Sequence, residues 1–333
     1  MKLVNDLMLG FNDAEDYRRS ENRRLFNDVF VKDYNLEKLL QLNTFFLIGE
    51  KGTGKTAYAV YLANNEYKNT RSQLTYIRET EYKRFIKLKE LKHLEFSDYT
   101  TIWKVILLVL IATNIEAKDI DSAFSKNSKL ENVHKAINSY YVKGFSPEIS
   151  TIMELVVNSK LAAELFTNFA NVSAGKTKQS TFSETTTQLN LLNIYRELCS
   201  AISDLRLSRN QFLFIDGIDI RPEGIQYREY LACIKGLAEA TWELNNDVFP
   251  PIKGSKGRIK IVLLLRPDIM TSIGLQNTMN KITNNTVYLD WRTTYPEHRN
   301  SKLFSLSEKL LSHQQEDELK NLPAGSIWDQ YFP

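Results

Sequence analysis

Residues 49–56, Gly49-Glu50-Lys51-Gly52-Thr53-Gly54-Lys55-Thr56, carry the spacing GxxxxGK[ST] at every specified position. The chemistry that needs this spacing is the grip on a triphosphate. Gly49 lets the chain turn sharply out of a strand, and Gly52 and Gly54 reach backbone angles that other residues avoid. Successive N–H groups, from Glu50 and Lys51 through Thr53 to Ala57, then face one anion at the positive end of the helix that follows. The Lys55 ammonium is expected to reach the β- and γ-phosphates, and the Thr56 hydroxyl to ligate magnesium. ATP with Mg2+ is therefore the expected ligand. A second Gly-Lys-Thr, Gly175 to Thr177, lacks the opening glycine, because position 170 is Ala170.

A triphosphate site of this kind also needs a carboxylate at the tip of a nearby strand, to hold the metal's hydration shell. Phe212-Leu213-Phe214-Ile215-Asp216 supplies one: four apolar residues and then Asp216. Hydrolysis further needs a group that orients or deprotonates water. Asp219 is the first candidate and Glu223 the second; Asp219 as a simple helix cap is the alternative reading. The run Leu263-Leu264-Leu265-Arg266-Pro267-Asp268 places an arginine at a strand tip, where a guanidinium suits phosphate oxygens. Arg266 is thus the candidate γ-phosphate sensor, with a local ion pair to Asp268 as the alternative. Arg292, in Asp290-Trp291-Arg292, is a further candidate for a phosphate-facing arginine. Phe11-Asn12-Asp13, upstream of the glycine loop, is the candidate lining of an adenine pocket.

These residues need a scaffold, and the pattern of apolar runs alternating with helical periodicity predicts an α/β sheet. Strands are expected at Thr44–Ile48, Leu74–Arg78, Phe212–Ile215, Ile259–Leu265 and Thr286–Leu289. Helices are expected at Lys55–Tyr67, Tyr82–Leu91, Ser97–Thr113, Leu189–Leu207, Gln226–Asn245 and Ser301–Ser312, with an irregular tail to Pro333. Between Ile115 and Asn171 the pattern is helical throughout, which reads as a helical insertion. The run from Val172 to Gln188 is rich in Ser, Thr and Lys and reads as a mobile loop. The expected organisation is a nucleotide-binding core in two parts, residues 1–114 and 189–292, an insertion with its loop over 115–188, and a helical tail over 293–333. Aromatic residues near that tail's end, Trp328, Tyr331 and Phe332, point either to burial or to a natural protein longer than this sequence.

Composition bounds the class. The chain has 333 residues, 43% hydrophobic and 25% charged, as in ordinary globular proteins. A net charge of +3 does not by itself call for a nucleic-acid partner. Two local basic clusters, Arg18-Arg19 with Arg23-Arg24, and Lys83-Arg84 with Lys87, Lys89 and Lys92, are broken by acidic residues and read as solvated helix faces. Cys199 and Cys233 show no metal-binding spacing, so two buried thiols are expected. The most apolar window, Val105 to Ala112, is far short of the about 20 residues that span a bilayer. It reads as a buried core helix. The N-terminus reads as a poor secretory signal, and a cytoplasmic location without membrane contact is expected.

The segments GEKGTGKT, FLFIDGID and LLLRPD together resemble the STAND class of P-loop ATPases, and its NACHT-like branch in particular. Asp216-Gly217-Ile218-Asp219 matches that branch's acidic strand, and Arg266-Pro267 its sensor strand. The chain also resembles an uncharacterised bacterial P-loop ATPase family that shares the Lys-Gly-Thr-Gly-Lys-Thr loop and the Ile-Asp-Gly-Ile-Asp motif. The resemblance covers about Asn43 to Trp291. It implies a P-loop NTPase three-layer sandwich: a mainly parallel five-stranded sheet, with the sensor strand between the P-loop strand and the acidic strand. For some relatives it implies a role in antiviral defence, while the complete site with its unusual catalytic carboxylate suggests ATP binding that drives self-association or docking of an effector protein. Two departures stand out. Ile220 occupies the place of the branch's glutamate, which points to slow turnover, and the repeat sensor domain of that class is absent from this sequence. A regulatory switch is the leading expectation. A nucleic-acid-stimulated ATPase is the alternative, motivated by the basic clusters and by the lysines at 176–178 and 253–258. A small-molecule kinase ranks below both, since no Arg-rich lid is visible. Asn280-Lys281-Ile282-Thr283 lacks the aspartate that a GTPase uses to read guanine.

Overall fold

The computed structural model describes residues 1–8, 10, 13–77, 86, 98–121, 129–136, 184–274, 284–320 and 322–332. Five strands form one sheet: β1 (Phe46–Gly49), β2 (Thr70–Tyr76), β3 (Asn210–Asp216), β4 (Ile259–Leu265) and β5 (Thr286–Leu289), in the order β2-β3-β4-β1-β5. Every pairing is parallel, with Phe46 opposite Leu263, Phe46 opposite Thr286, Phe212 opposite Lys260 and Ser72 opposite Phe212. The sheet is thus wholly rather than mainly parallel. As expected, β4 lies between β1 and β3.

Near-continuous apolar strands fit a parallel sheet buried on both faces. Phe46, Ile48, Leu213, Ile215, Leu263 and Leu265 point into one core, closed by α4 (Asp98–Asn114), α5 (Glu184–Ser203) and α6 (Tyr227–Glu243). Their neighbours Leu47, Phe212, Phe214, Val262, Leu264 and Val287 point into the other. That second core is closed by α1 (Ser20–Val29), α2 (Tyr34–Leu40) and α3 (Lys55–Asn64). The result is a helix–sheet–helix sandwich. The apolar window Val105 to Ala112 is buried along its whole length inside α4. Among the described residues no helix is long and apolar enough to cross a membrane.

Several expectations need correction. Helix α3 stops at Asn64, not Tyr67, because Asn65 turns extended and its side-chain amide donates to the Tyr61 carbonyl. Strand β2 starts at Thr70 rather than Leu74; its polar first half pairs with β3 at the sheet's edge, where full apolarity is not required. Helix α5 starts at Glu184, so the last residues of the expected mobile loop, 184–188, are helical. The remainder of that loop, the expected helix at Tyr82–Leu91 apart from Ile86, the decoy glycine at Gly175 and the Asn280–Thr283 segment lie outside the described residues. So does most of the expected insertion; of its described residues 129–136 are helical, but 115–121 depart from the expectation, with a 3-10 turn at Ala117–Asp119 leading to Ile120, which bridges Leu207. Cys233 is buried but Cys199 is half-buried, and neither is in a disulfide.

The tail is not irregular. After α7 (Pro267–Ser272) and β5 come α8 (Lys302–His313), α9 (Asp317–Lys320) and α10 (Ser326–Tyr331). The buried Glu308 carboxylate of α8 accepts from the N–H groups of Gly325, Ile327 and Trp328, satisfying the first turn of α10. Trp328 packs on Phe304 and Phe332, while Phe332 itself stays exposed.

One charged residue sits in the core of β4. Lys260 is 1% exposed, and its amine donates to the carbonyls of Leu39 and Gln41, the open C-terminal end of α2. Burial drives its pKa well below the ordinary lysine value.

Candidate functional site

The glycine loop, residues 49–54, leaves β1 at its carboxyl end and opens directly into α3. Gly52 and Gly54 both have φ of 86°, the left-handed region that a side chain resists. The Lys55 side chain folds back under the loop, donating to the carbonyls of Gly49 at 2.7 Å and Glu50 at 3.2 Å. Its ammonium lies 3.9 Å from Asp219 Oδ2. One residue on, the Thr56 hydroxyl donates to Asp216 Oδ2 at 2.6 Å, joining the start of α3 to the tip of β3. Asp216 Oδ1 accepts from the Gly217 N–H at 2.7 Å.

These groups share one cavity of about 510 Å³ at the carboxyl ends of the strands. One half is polar, with Lys51, Lys55, Thr56, Asp216 and Asp219 on its wall together with Asp13. The other half is apolar and aromatic, built from Tyr17, Phe26 and Phe30 near the N-terminus and from Trp291, Leu306 and Leu310 near the C-terminus. A concave site with a few convergent polar groups against an apolar wall is the usual form of a small-molecule pocket.

The electrostatics of the two aspartates differ. Burial raises the pKa of Asp216, partly offset by the hydrogen bonds from Thr56 and Gly217 and by the charge of Lys55. Burial pushes Asp219 further, to about 6; Lys55 opposes this, while the charge of Asp216 adds to it. Asp219 Oδ1 is buried and finds no hydrogen-bond partner among the described residues, while Oδ2 is the oxygen that faces Lys55. Oxygen donors from Thr56 and Asp216 suit a hard cation such as magnesium, which keeps several waters and phosphate oxygens in its shell. No group of three or more His, Cys, Asp or Glu able to hold a metal occurs among the described residues, and a magnesium ion shared with phosphates does not need one.

The other candidates are not brought here. Arg266 stands at the tip of β4, but both its Nε and Nη2 donate to the Asp268 carboxylate, at 3.1 and 2.8 Å. The local ion pair holds, and the guanidinium reaches Asp219 through its charge alone. Glu223 is exposed and off the cavity wall, because the turn after Asp219 carries it outward. Arg292 is paired with Asp290 and its side chain is 91% exposed. Its neighbour does the work instead: the Trp291 indole donates to the Thr53 carbonyl at 2.8 Å and packs beside Gly54. Of the candidate adenine-pocket segment, Asp13 lines the cavity, and Phe11 and Asn12 lie outside the described residues. The basic residues Arg18 and Arg19 pair with Glu15 and Asp16, as a solvated face does.

The apolar half of the cavity escaped sequence reasoning. A signal was present in α8, where Leu303, Leu306 and Leu310 recur at a helical spacing that marks one apolar stripe. Gly217 also has a role beyond displacing a glutamate. Its φ is +88°, and a Cβ there would stand 2.8 Å from the Ile77 carbonyl oxygen. Gly217→Ala is expected to cost about 1–3 kcal/mol of stability, from strain in the left-handed region plus the clash. Urea unfolding of the two proteins measures it, and an unchanged midpoint would refute the geometry of this turn. No family model, curated protein or solved structure matches the chain.

Proposed function

We propose that the chain is a magnesium-dependent P-loop ATPase that works as a nucleotide-controlled switch. The observation that carries this reading is the convergence of Lys55, Thr56, Asp216 and Asp219 on one cavity, beneath a glycine loop that opens a helix. The three layers, the strand order with β4 between β1 and β3, and the loop at a strand's carboxyl end support a P-loop NTPase sandwich of the STAND-like kind.

In this reading the loop N–H groups and the end of α3 hold the phosphates. Lys55 exchanges its two carbonyl partners for phosphate oxygens. Thr56 and Asp216 would hold the magnesium ion, which when bound neutralises charge on the phosphate oxygens. Asp219 takes the proton of the attacking water, since it is buried and close to Lys55. The apolar half of the cavity receives the base. The missing aspartate at Asn280 to Thr283 favours adenine over guanine. Because that half is walled by both ends of the chain, a bound nucleotide links α1 to α8, which suits a switch that presents a new surface to a second copy or to an effector.

Calorimetric titration with ATP and GTP, with and without magnesium, tests the reading. Lys55→Ala is expected to weaken ATP binding on the order of 10- to 100-fold, the worth of one hydrogen bond to a charged group. Wild-type protein that binds neither nucleotide would end the proposal. Size-exclusion chromatography with and without ATP tests the switch itself, and an unchanged elution and partner profile counts against it. Turnover at low salt that ignores added DNA and RNA sets aside the nucleic-acid alternative.

A further inference from the structure

A second cavity, of about 420 Å³, opens at the amino ends of β2 and β3, the opposite end of the sheet from the glycine loop. Its wall is polar in an unusual way. Gln211 of β3 is 6% exposed, and its Nε2 has no hydrogen-bond partner among the described residues. The buried Gln73 Oε1 and Ser72 Oγ, both of β2, likewise lack one. Gln73 and Gln211 line this cavity from one face of the sheet, whereas Ser72, one residue along β2, belongs to the opposite face. The strand register puts Arg71 opposite Gln211 and Gln73 opposite Leu213, so Gln73 and Gln211 are diagonal neighbours on one face of the sheet. Ile111 of α4 and Leu213 give the cavity apolar surface as well.

A buried polar atom left without a partner costs about 1–3 kcal/mol, so two on one face of this cavity call for an occupant. The volume lies within the roughly 300–1,000 Å³ of small-molecule pockets. Charge argues for a neutral occupant. Arg71 is taken up by Glu116 and Asp119, and Glu66 by Arg209. The unsatisfied pair consists of an amide oxygen that accepts, from Gln73, and an amide nitrogen that donates, from Gln211.

We infer that this cavity is a second ligand site, for a small uncharged molecule carrying a hydrogen-bond donor beside an acceptor, as a primary carboxamide or a pyrimidine edge does. The molecule would donate to Gln73 Oε1, accept from Gln211 Nε2 and rest on Ile111 and Leu213. The site is separate from the nucleotide cavity and shares no residue with it.

Nicotinamide and uracil are the probes. Each is titrated into the 15N-labelled full chain, with the side-chain NH2 signals of Gln73 and Gln211 as the readout. At least one probe is expected to shift both signals and saturate below about 1 mM, about −4 kcal/mol. Gln211→Leu is expected to weaken that probe at least tenfold and leave ATP binding unchanged. Should Gln211→Leu not fold, Gln73→Leu on the edge strand takes its place with the same expectation. The inference is overturned if neither probe shifts these signals, if the shifts survive the substitution, or if a crystal soaked in both probes holds water alone in the cavity.

Discussion

Asp219→Asn is expected to lower ATP turnover by about 10²- to 10⁴-fold, the usual worth of a positioned general base, while ATP still binds. The amide keeps the shape but cannot take a proton from water. Asp216→Asn is expected to act differently, weakening the magnesium dependence of binding, because its partner is the Thr56 hydroxyl. The pH profile separates the two. Burial holds Asp219 near a pKa of about 6, so its base form is lost as the pH falls through that value. In the free protein kcat/KM should therefore rise with pH to a midpoint near 6 and then level off, since this parameter reports the unliganded enzyme. The residual activity of Asp219→Asn should lack that midpoint. Full turnover in Asp219→Asn, or a profile flat from pH 5 to 8 in the wild type, would remove Asp219 from the mechanism.

The loop and its two aspartates were legible in the sequence because their signals are local. GxxxxGKT and an apolar run ending in Asp216 each specify a strand tip within a few residues, and parallel sheets gather strand tips at one end. Even the order of β1, β4 and β3 followed from the resemblance. What the sequence hid is set by distant or competing contacts. Phe26 and Leu306 wall the same pocket although most of the chain separates them. Arg266 and Arg292 each have a carboxylate two residues away, and a local ion pair satisfied them before any phosphate could. Glu223 was placed by chain proximity to Asp219, yet the turn at 220–224 points it to solvent. Lys260 gave no sign in Ile-Lys-Ile-Val-Leu-Leu-Leu that a lysine would serve as the cap of α2, since its partners Leu39 and Gln41 come from another part of the sequence.

Asp119→Ala is expected to destabilise the fold by about 3–5 kcal/mol, the cost of breaking a buried ion pair from one side. Asp119 is 0% exposed and accepts from Arg71 Nη1 and from Arg209 Nε, each at 2.5 Å, as well as from the Glu116 N–H at 2.9 Å. Its own carbonyl accepts from the Ser208 N–H and hydroxyl. One carboxylate thus fastens the connector after α4 to the entries of β2 and β3, and removing it leaves the Arg71 and Arg209 guanidinium groups with the more exposed Glu116 and Glu66 as their counter-charges. The sign of the pH dependence follows from its environment. Burial alone would raise the pKa of Asp119, but the Glu116 N–H, Arg209 and Arg71 outweigh it and hold the group below the ordinary carboxylate value. Its stabilisation is therefore complete above the unfolded pKa of about 3.9 and is lost as the pH falls through the lower folded value. In urea titrations the gap between the wild type and Asp119→Asn should stay constant from about pH 5 to 8 and close in stronger acid. ATP binding by the folded fraction should survive, because Asp119 lies at the far end of the sheet from Lys55. A gap below about 1 kcal/mol at neutral pH, or one that widens in acid, would show that this cluster is a solvated surface network rather than the clamp on β2 and β3.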